Sequence, residues 1–456
     1  MQLTQYPVLE DTIQASEVIT SKGSELLIYD TVTGDKKYAN RATFDFLRLA
    51  TGICTCEEIV KILSCRSGEP FEDIWVPLSG LIQNMVEENL LKVLESPLKS
   101  PRRLHPAVNI WHRLQNVALE VTKMCNLKCR HCYSDAGTPL ENELTVEEIK
   151  GLLDQMAEMG VLSVTFTGGE PFLHPHFFEL VEYARKKPLT VIIFTNGTLI
   201  TPKVVKIIKN LDVYRVNVSI DGPDAQTHNA FRKGENAFQK TVEGVTLLIE
   251  AGIQVDASIS VHRNNYQKII PLLSLMKNLK IKEFKMWPIT FSGRKKENDI
   301  FVTPEQFKEV VTATRDFEIK EMGKEKEEFR YDPHVKNCGI GLAQIAVKSN
   351  GIVTPCLSFN DTVSVGNTRE QSLIDIWNTS ELLNKLRSMN VFETEHCKEC
   401  EYAAVCKGGC IADVYGRTGK FSCYDPYSCV AFEMTKDDFI FVKDTSPSAS
   451  LSVEVV

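Results

Sequence analysis

Three cysteines stand on one short run, Cys125-Asn126-Leu127-Lys128-Cys129-Arg130-His131-Cys132. Three thiolates on one loop can hold three irons of a cubane cluster and leave the fourth iron open to an exogenous ligand, whereas a complete four-cysteine set suits structure or electron relay. The same spacing admits zinc, with His131 as fourth ligand. A second array lies near the C-terminus: Cys338, Cys356, Cys397, Cys400, Cys406, Cys410, Cys423 and Cys429. For its CxxC-like pairs zinc is the default ion. Cys54, Cys56 and Cys65 read as small core residues.

The 456 residues can bury several cores and need no disulfide staples. Apolar residues at 43% and charged residues at 25% indicate a globular chain and exclude collagen, coiled coil and wholesale disorder. A net charge of −8 does not favour gripping a phosphate backbone, so no nucleic-acid partner is expected. No apolar run approaches a membrane span, and the N-terminus lacks the basic and apolar regions of a signal peptide. The expected location is cytoplasmic, without membrane contact. There, clustered cysteines read as metal ligands or catalytic thiols.

These residues need elements to hold them. From Val117 the pattern alternates strand and helix, with strands expected at Val117–Val121, Ser163–Thr167, Thr190–Thr195, Val213–Ile220, Gln254–Val261 and Glu283–Ile289. Thr145 with Glu148 is a capping box, and Thr201-Pro202 opens another helix. Six β/α repeats predict an α/β fold, a parallel sheet or open barrel, with its site at the C-terminal strand ends. The cysteine run, Gly168-Gly169-Glu170, Asn196-Gly197 and Asp221-Gly222 follow the first four strands in order.

Before the repeats, Glu25–Asp30 and Lys36–Ala39 read as strands. Ala42–Ala50, Cys56–Leu63 and Phe71–Leu94 read as helices, the last kinked or restarted at Pro77. Pro97, Pro101 and Pro106 predict a linker. Residues 315–330 read as a solvated charged helix, and the chain after Asp444 as a disordered tail.

The CxxxCxxC run after the first barrel strand resembles that of the radical S-adenosylmethionine (SAM) enzymes. The resemblance, over roughly 114–300, implies that Cys125, Cys129 and Cys132 bind a catalytic [4Fe–4S] cluster. In that family the open iron chelates SAM, whose reductive cleavage gives a 5′-deoxyadenosyl radical that abstracts hydrogen. His131 takes the family's aromatic position. Gly168, Gly169 and Glu170 resemble the motif that receives the SAM amine. Ser219 resembles the ribose contact, Arg232 in HNAFR the carboxylate contact, and Asn196 joins this SAM-binding set. An electron donor such as flavodoxin or ferredoxin is implied.

The spacing Cys338-x12-Gly351-x4-Cys356, then Cys397-x2-Cys400-x5-Cys406-x3-Cys410 and a last cysteine, resembles the SPASM extension with two auxiliary [4Fe–4S] clusters, three clusters in all. By that resemblance Cys397, Cys400, Cys406 and Cys429 fill the distal cluster. Cys338, Cys356 and Cys410 hold the nearer one, with an open iron for a substrate thiolate. Cys423 closes that cluster, replaces Cys429 or stands by.

The stretch from Tyr38 to Leu91 resembles the winged-helix-like α+β peptide-binding elements of ribosomal-peptide maturases, which have a three-stranded sheet and three helices. There a precursor's leader adds as a strand, here on Lys36–Ala39. The implied organisation is a leader-binding domain at 1–96, a linker at 97–113, a partial (β/α)6 TIM-like barrel at 114–325, a SPASM domain at 326–440 and a tail at 441–456. The implied activity is a radical SAM oxidoreductase forming a thioether cross-link in a precursor peptide, as in sactipeptides. Carbon–carbon linkage, epimerisation and a cofactor-pathway reaction are the alternatives.

Overall fold

The computed structural model describes residues 2–20, 23–99, 105–109, 114–294, 300–324, 327–331, 337–400, 402–422, 424–435 and 439–443. The N-terminal unit comprises β1 (Tyr6–Leu9), β2 (Ile13–Thr20), β3 (Gly23–Asp30), β4 (Lys36–Ala39), α1 (Arg41–Leu47), α2 (Cys56–Ser67), α3 (Phe71–Glu87), β5 (Leu91–Leu94) and β6 (His105–Asn109). Helix α3 runs through Pro77 and ends seven residues before the expected Leu94. Asn89 turns the chain at φ 55°, so Leu91–Leu94 becomes a strand that pairs with β1. The main sheet has four strands in the order β4-β3-β2-β6, where three were expected. The fourth, β6, lies within the expected linker and contains Pro106. A sheet edge tolerates proline, because the missing N–H is not needed by a second neighbour. Cys56 is wholly buried in this unit's core beside Ile59 and Val60, and Cys54 is packed against it. Cys65 is exposed.

The central repeat is β7 (Asn116–Glu120), α4 (Val146–Glu158), β8 (Ser163–Thr167), α5 (Phe177–Arg185), β9 (Thr190–Thr195), α6 (Pro202–Asn210), β10 (Arg215–Ser219), α7 (Ala225–Arg232), α8 (Ala237–Glu250), β11 (Val255–Val261), α9 (Ile269–Asn278) and β12 (Glu283–Pro288). Both helix-start signals are realised: Thr145 and Glu148 form a reciprocal capping box, and Thr201 caps α6 ahead of Pro202. The six strands run parallel and in order.

The rest is α10 (Pro304–Phe317), β13 (Glu327–Tyr331), β14 (Gln344–Val347), β15 (Ile352–Thr354), β16 (Gly366–Asn367), α11 (Leu373–Thr379), α12 (Glu381–Ser388), α13 (Ala403–Cys406), α14 (Ile411–Thr418), α15 (Pro426–Thr435) and β17 (Phe439–Lys443). The charged segment at 315–330 is only partly helical. A π-helical turn at Glu318–Met322 ends at Gly323 (φ 68°), and β13 follows. Strand β17 pairs with β13 and occupies 441–443, the start of the expected tail. The remainder of that tail lies outside the described residues. The cysteine-rich part also extends the barrel sheet, whose full order is β12-β11-β10-β9-β8-β7-β14-β15-β16, with β14 parallel to β7.

The ladder register divides this sheet into two faces. Val117, Leu119, Val164, Phe166, Val191, Ile193, Val216, Val218, Ile345 and Val347 face the helices and form one apolar core. The alternate residues share the inner face: Asn116 and Glu120 on β7, Ser163, Thr165 and Thr167 on β8, Asn217 and Ser219 on β10, Ser258 and Ser260 on β11. A closed TIM barrel fills its interior with branched apolar side chains. This open sheet places hydroxyls, amides and charges over most of its interior, here called the lumen, beside Ile192 and Phe194 of β9; the polar groups bond one another, as Asn116 Nδ2 does with Ser163 Oγ at 2.9 Å and Ser258 Oγ with Asn217 Oδ1 at 2.7 Å.

The N-terminal unit seats on the lower end of that lumen. The buried Tyr29 hydroxyl meets Thr190 Oγ1 at 2.8 Å, and Thr190 also donates to the Thr31 carbonyl at 2.8 Å. Gln14 Nε2 donates to the Val161 carbonyl at 2.7 Å and to that of Pro188. Burial pushes the Tyr29 phenol up to about 12, so it remains a neutral partner. Thr190→Val removes the shared hydroxyl and leaves a buried phenol without it. The expected loss is about 1–3 kcal/mol, read as a lower urea midpoint with unchanged slope.

Candidate active site

The cysteine run sits where β7 ends, and its neighbours leave little room for it to move. Gly169 N donates to the Thr122 carbonyl at 2.7 Å, and Glu170 N to the Met124 carbonyl at 2.8 Å. A Cβ on Gly168 would stand 2.4 Å from the Thr122 carbonyl, and one on Gly169 2.2 Å from that of Met124. Only glycine lets the end of β8 approach the entry to the loop so closely. From the other side, a Cβ on Gly293 would stand 2.1 Å from the Cys132 carbonyl. Arg294 then donates its backbone N–H to that carbonyl at 2.8 Å, its Nη1 to the Cys129 carbonyl at 3.3 Å and its Nη2 to that of Ala136. Glu143 closes a third side, accepting from Lys123 N at 2.6 Å and Thr122 Oγ1 at 2.9 Å. Sequence reasoning missed Gly293, Arg294 and Glu143. Their residue types are common, and only their tertiary position marks them.

Within the loop, Cys125, Cys129 and Cys132 group around Leu127 and Ala237. Burial pushes the Cys125 thiol up to about 12 and raises that of Cys129, against the pull of the Arg232 charge. Thiols so placed are inert unless a metal ionises them. His131 does not join them. Its Nε2 meets Ser260 Oγ at 3.1 Å, and its ring stacks on Phe231 at 4.5 Å, which in turn stacks on His262 at 3.7 Å. Burial, then the Arg232 charge, lowers the imidazole to about 3, so it is neutral. The zinc arrangement with His131 as fourth ligand is therefore not the one formed. The all-thiol set on one loop fits an iron–sulfur cluster.

The expected SAM contacts surround this loop. Glu170 is wholly buried. Its carboxylate accepts from Asn196 N and Thr195 Oγ1, each at 2.8 Å, and from Phe172 N at 3.3 Å. Burial outweighs these bonds and raises the carboxyl to about 7. Asn196 Nδ2 donates to Asn126 Oδ1 at 2.9 Å, tying the third strand end to the cysteine loop. Ser219 ends β10 beside Ser258. Arg232 is engaged on two sides: Nε donates to Asp221 Oδ2 at 2.6 Å, and Nη1 lies 3.8 Å from Cys129 Sγ. Burial alone would raise the Asp221 carboxyl; the Arg232 charge overrides it and holds it at about 2. Around this pair His131 Nδ1, His228 Nε2 and His262 Nε2 are buried without a partner among the described residues. Such orphaned nitrogens are what a bound polar ligand or ordered water would satisfy.

The C-terminal thiols fall into two groups. Cys410 feels Cys338 and Cys356, while Cys406 and Cys429 feel Cys397, and Cys429 also Cys400. Burial raises Cys356 to about 11 and Cys406 to about 12. Asp425 helps fix the turn between the groups, accepting from Cys410 N at 3.2 Å and Ser428 Oγ at 2.8 Å. Cys423 lies outside the described residues. Among those residues, no three His, Cys, Asp or Glu side chains gather as ligands of one metal ion.

The model of the radical SAM superfamily matches residues 119–276, and that of the SPASM iron–sulfur cluster-binding domain residues 338–401. An AdoMet-dependent heme synthase of Methanosarcina barkeri is 32% identical over 337 residues, covering 68% of this chain and 95% of that protein. The chain belongs to the radical SAM superfamily. These radical SAM and SPASM domains imply SAM and [4Fe–4S] clusters. The antilisterial bacteriocin subtilosin biosynthesis protein AlbA of Bacillus subtilis is 30% identical over 303 residues, covering 65% of this chain and 66% of that protein. Among solved structures, Streptococcus suis SuiB bound to precursor peptide SuiA shares the fold over 92% of this radical SAM chain and 98% of its own (TM-score 0.65, 15% identity). Among the described residues no helix is long and apolar enough to cross a membrane.

Two outcomes follow from the buried charges. The folded Glu170 carboxyl binds its proton more tightly than the unfolded one, at about 7 against an ordinary 4.5. Its contribution therefore erodes stability as pH rises between those values. Glu170→Gln should flatten that part of the apoprotein's stability-against-pH curve, measured by thermal unfolding from pH 4.5 to 8. Arg232→Met strands the buried Asp221 carboxylate and should cost about 3–5 kcal/mol. The double variant with Asp221→Asn should recover part of that loss in denaturant unfolding.

Proposed function

We propose that this radical SAM/SPASM enzyme matures a ribosomally made precursor peptide by joining a cysteine sulfur to a carbon of the same peptide. The observation that carries the reading is the grouping of the C-terminal thiols. Among the described residues Cys397, Cys400, Cys406 and Cys429 would make a complete set and Cys338, Cys356 and Cys410 a set of three, in which a substrate thiolate, or Cys423, would be the fourth. Cys125, Cys129 and Cys132 would hold the catalytic cluster. Gly168, Gly169, Glu170, Asn196, Ser219 and Arg232 would form the SAM wall. Arg232, fixed beside Cys129, is placed to receive the SAM carboxylate. When bound, the three clusters and SAM supply a hydrogen-abstracting radical and an electron acceptor. An electron donor such as flavodoxin or ferredoxin would feed them. The product lacks one hydrogen from the thiol and one from the carbon.

The chain's own residues supply the enclosure. The polar lumen accepts a peptide backbone, and the N-terminal unit closes its lower end through Tyr29 and Thr190. We assign that unit to leader binding, with the leader added as a strand at β4, the edge of its sheet. The bacteriocin-biosynthesis relative supports a peptide as the substrate. The relatives named heme synthase favour a second reading, an enzyme of haem formation.

The test is mass spectrometry of a short cysteine-containing peptide encoded beside this protein. It is incubated anaerobically with the holoenzyme, SAM and reductant, then alkylated at free thiols. The expected product is lighter by two hydrogens and carries one alkyl group fewer. Loss of two hydrogens with every thiol alkylated would mean a carbon–carbon link. An unchanged peptide, with SAM consumed only when a haem precursor is added, would favour the second reading.

A further inference from the structure

Lys348 is 1% exposed, although a lysine is rarely buried so fully. It follows β14, two residues after Ala346, which pairs with Ala118. It therefore shares the lumen face with Glu120. Its Nζ donates to the carbonyl of Leu357, the residue after Cys356, at 3.1 Å. The ammonium also stands 5.7 Å from the ring centroid of Tyr133, the residue after Cys132. Tyr133 is itself held by its hydroxyl, 3.2 Å from Thr167 Oγ1.

The counter-charge is Glu120, wholly buried. Its Oε2 accepts from Ser134 Oγ at 2.6 Å, and its Oε1 accepts from Ser349 Oγ at 3.3 Å and lies 3.5 Å from Lys123 Nζ. Glu120 thus ties Ser134 of the catalytic cysteine loop to Ser349, the chain neighbour of Lys348. A methionine would fill the space of Lys348 without the desolvation penalty of an ammonium. Burial lowers the Lys348 ammonium below the ordinary lysine range, and the Glu120 and Asp361 carboxylates act against that lowering.

We propose that Lys348 sets the reduction potential of an iron–sulfur cluster held by Cys338, Cys356 and Cys410, raising it so that the cluster accepts an electron readily. The inference rests on the ligand set given under Proposed function, but on no particular substrate. Reduction adds negative charge to a cluster, and a fixed cation in a low-dielectric site favours the reduced form. Glu120 opposes that effect. Lys348 is a positioning residue in this account, since it acts through the cluster's surroundings.

The experiment is an EPR-monitored redox titration of the anaerobically reconstituted holoenzyme without peptide. The Cys356→Ala protein identifies which signal belongs to the Cys356 cluster. Lys348→Met should lower the potential of that signal alone, Lys348→Arg should keep it near wild type, and Glu120→Gln should raise it. The opposite signs separate charge from structure, because a merely disrupted loop would move both variants the same way. A Cys356-dependent signal unmoved by Lys348→Met overturns the role of Lys348 alone. So does a shift of every signal together, or a shift of the same sign in Lys348→Met and Glu120→Gln. Absence of any Cys356-dependent signal in the wild type overturns the ligand set, and this proposal with it.

Discussion

Each parallel strand from β7 to β11 turns one face to apolar helices and the other to an interior that is polar on most strands, with Ile192 and Phe194 of β9 the apolar part, and the register carries that division from strand to strand. Much else in the molecule follows from this two-residue period. On the inner face the hydroxyls and amides satisfy one another across the strands, as Asn116 does with Ser163 and Thr165 and Ser258 with Asn217. The helices on the outer face supply the apolar burial, so the interior is left to chemistry.

Rigidity at the top of the lumen comes from close backbone approach and buried charge together. Gly168 and Gly169 on one side and Gly293 on another let two segments of chain press on the cysteine loop where any Cβ would collide. Asp221 and Arg232, paired at 2.6 Å, then hold a positive charge beside Cys129. Glu120 ties Ser134 of the catalytic loop to Ser349. A site that must manage radicals gains from such fixation, since a loosely held loop would let reacting atoms drift and water enter.

The N-terminal unit is part of this arrangement, not an appendage on a tether. Its own core, around Phe44, Ile59 and Ile82, is separate from that of the barrel. Yet Gln14, Tyr29 and Thr31 make buried hydrogen bonds to the barrel's lower end. The expected linker contributes β6 to the sheet of this unit. A unit fixed in that way presents its edge strand β4 at a constant position relative to the lumen.

The sequence by itself determined the cysteine spacings, the six strands and the glycine-bearing strand ends. Each rests on a local signal: ligand spacing, apolar alternation or a cap. It could not place β6, β13, β14 or β17, because each of these strands exists through a partner far along the chain. Pro106 and the charges near residue 327 argue locally against any strand, and pairing overrides them. Only the tertiary structure turned His131 away from the thiols and found Arg294, Glu143 and Lys348. Residue types that are ordinary in sequence become specific when the fold buries them, because only there does an unpaired charge or a crowded backbone carry a large free-energy cost.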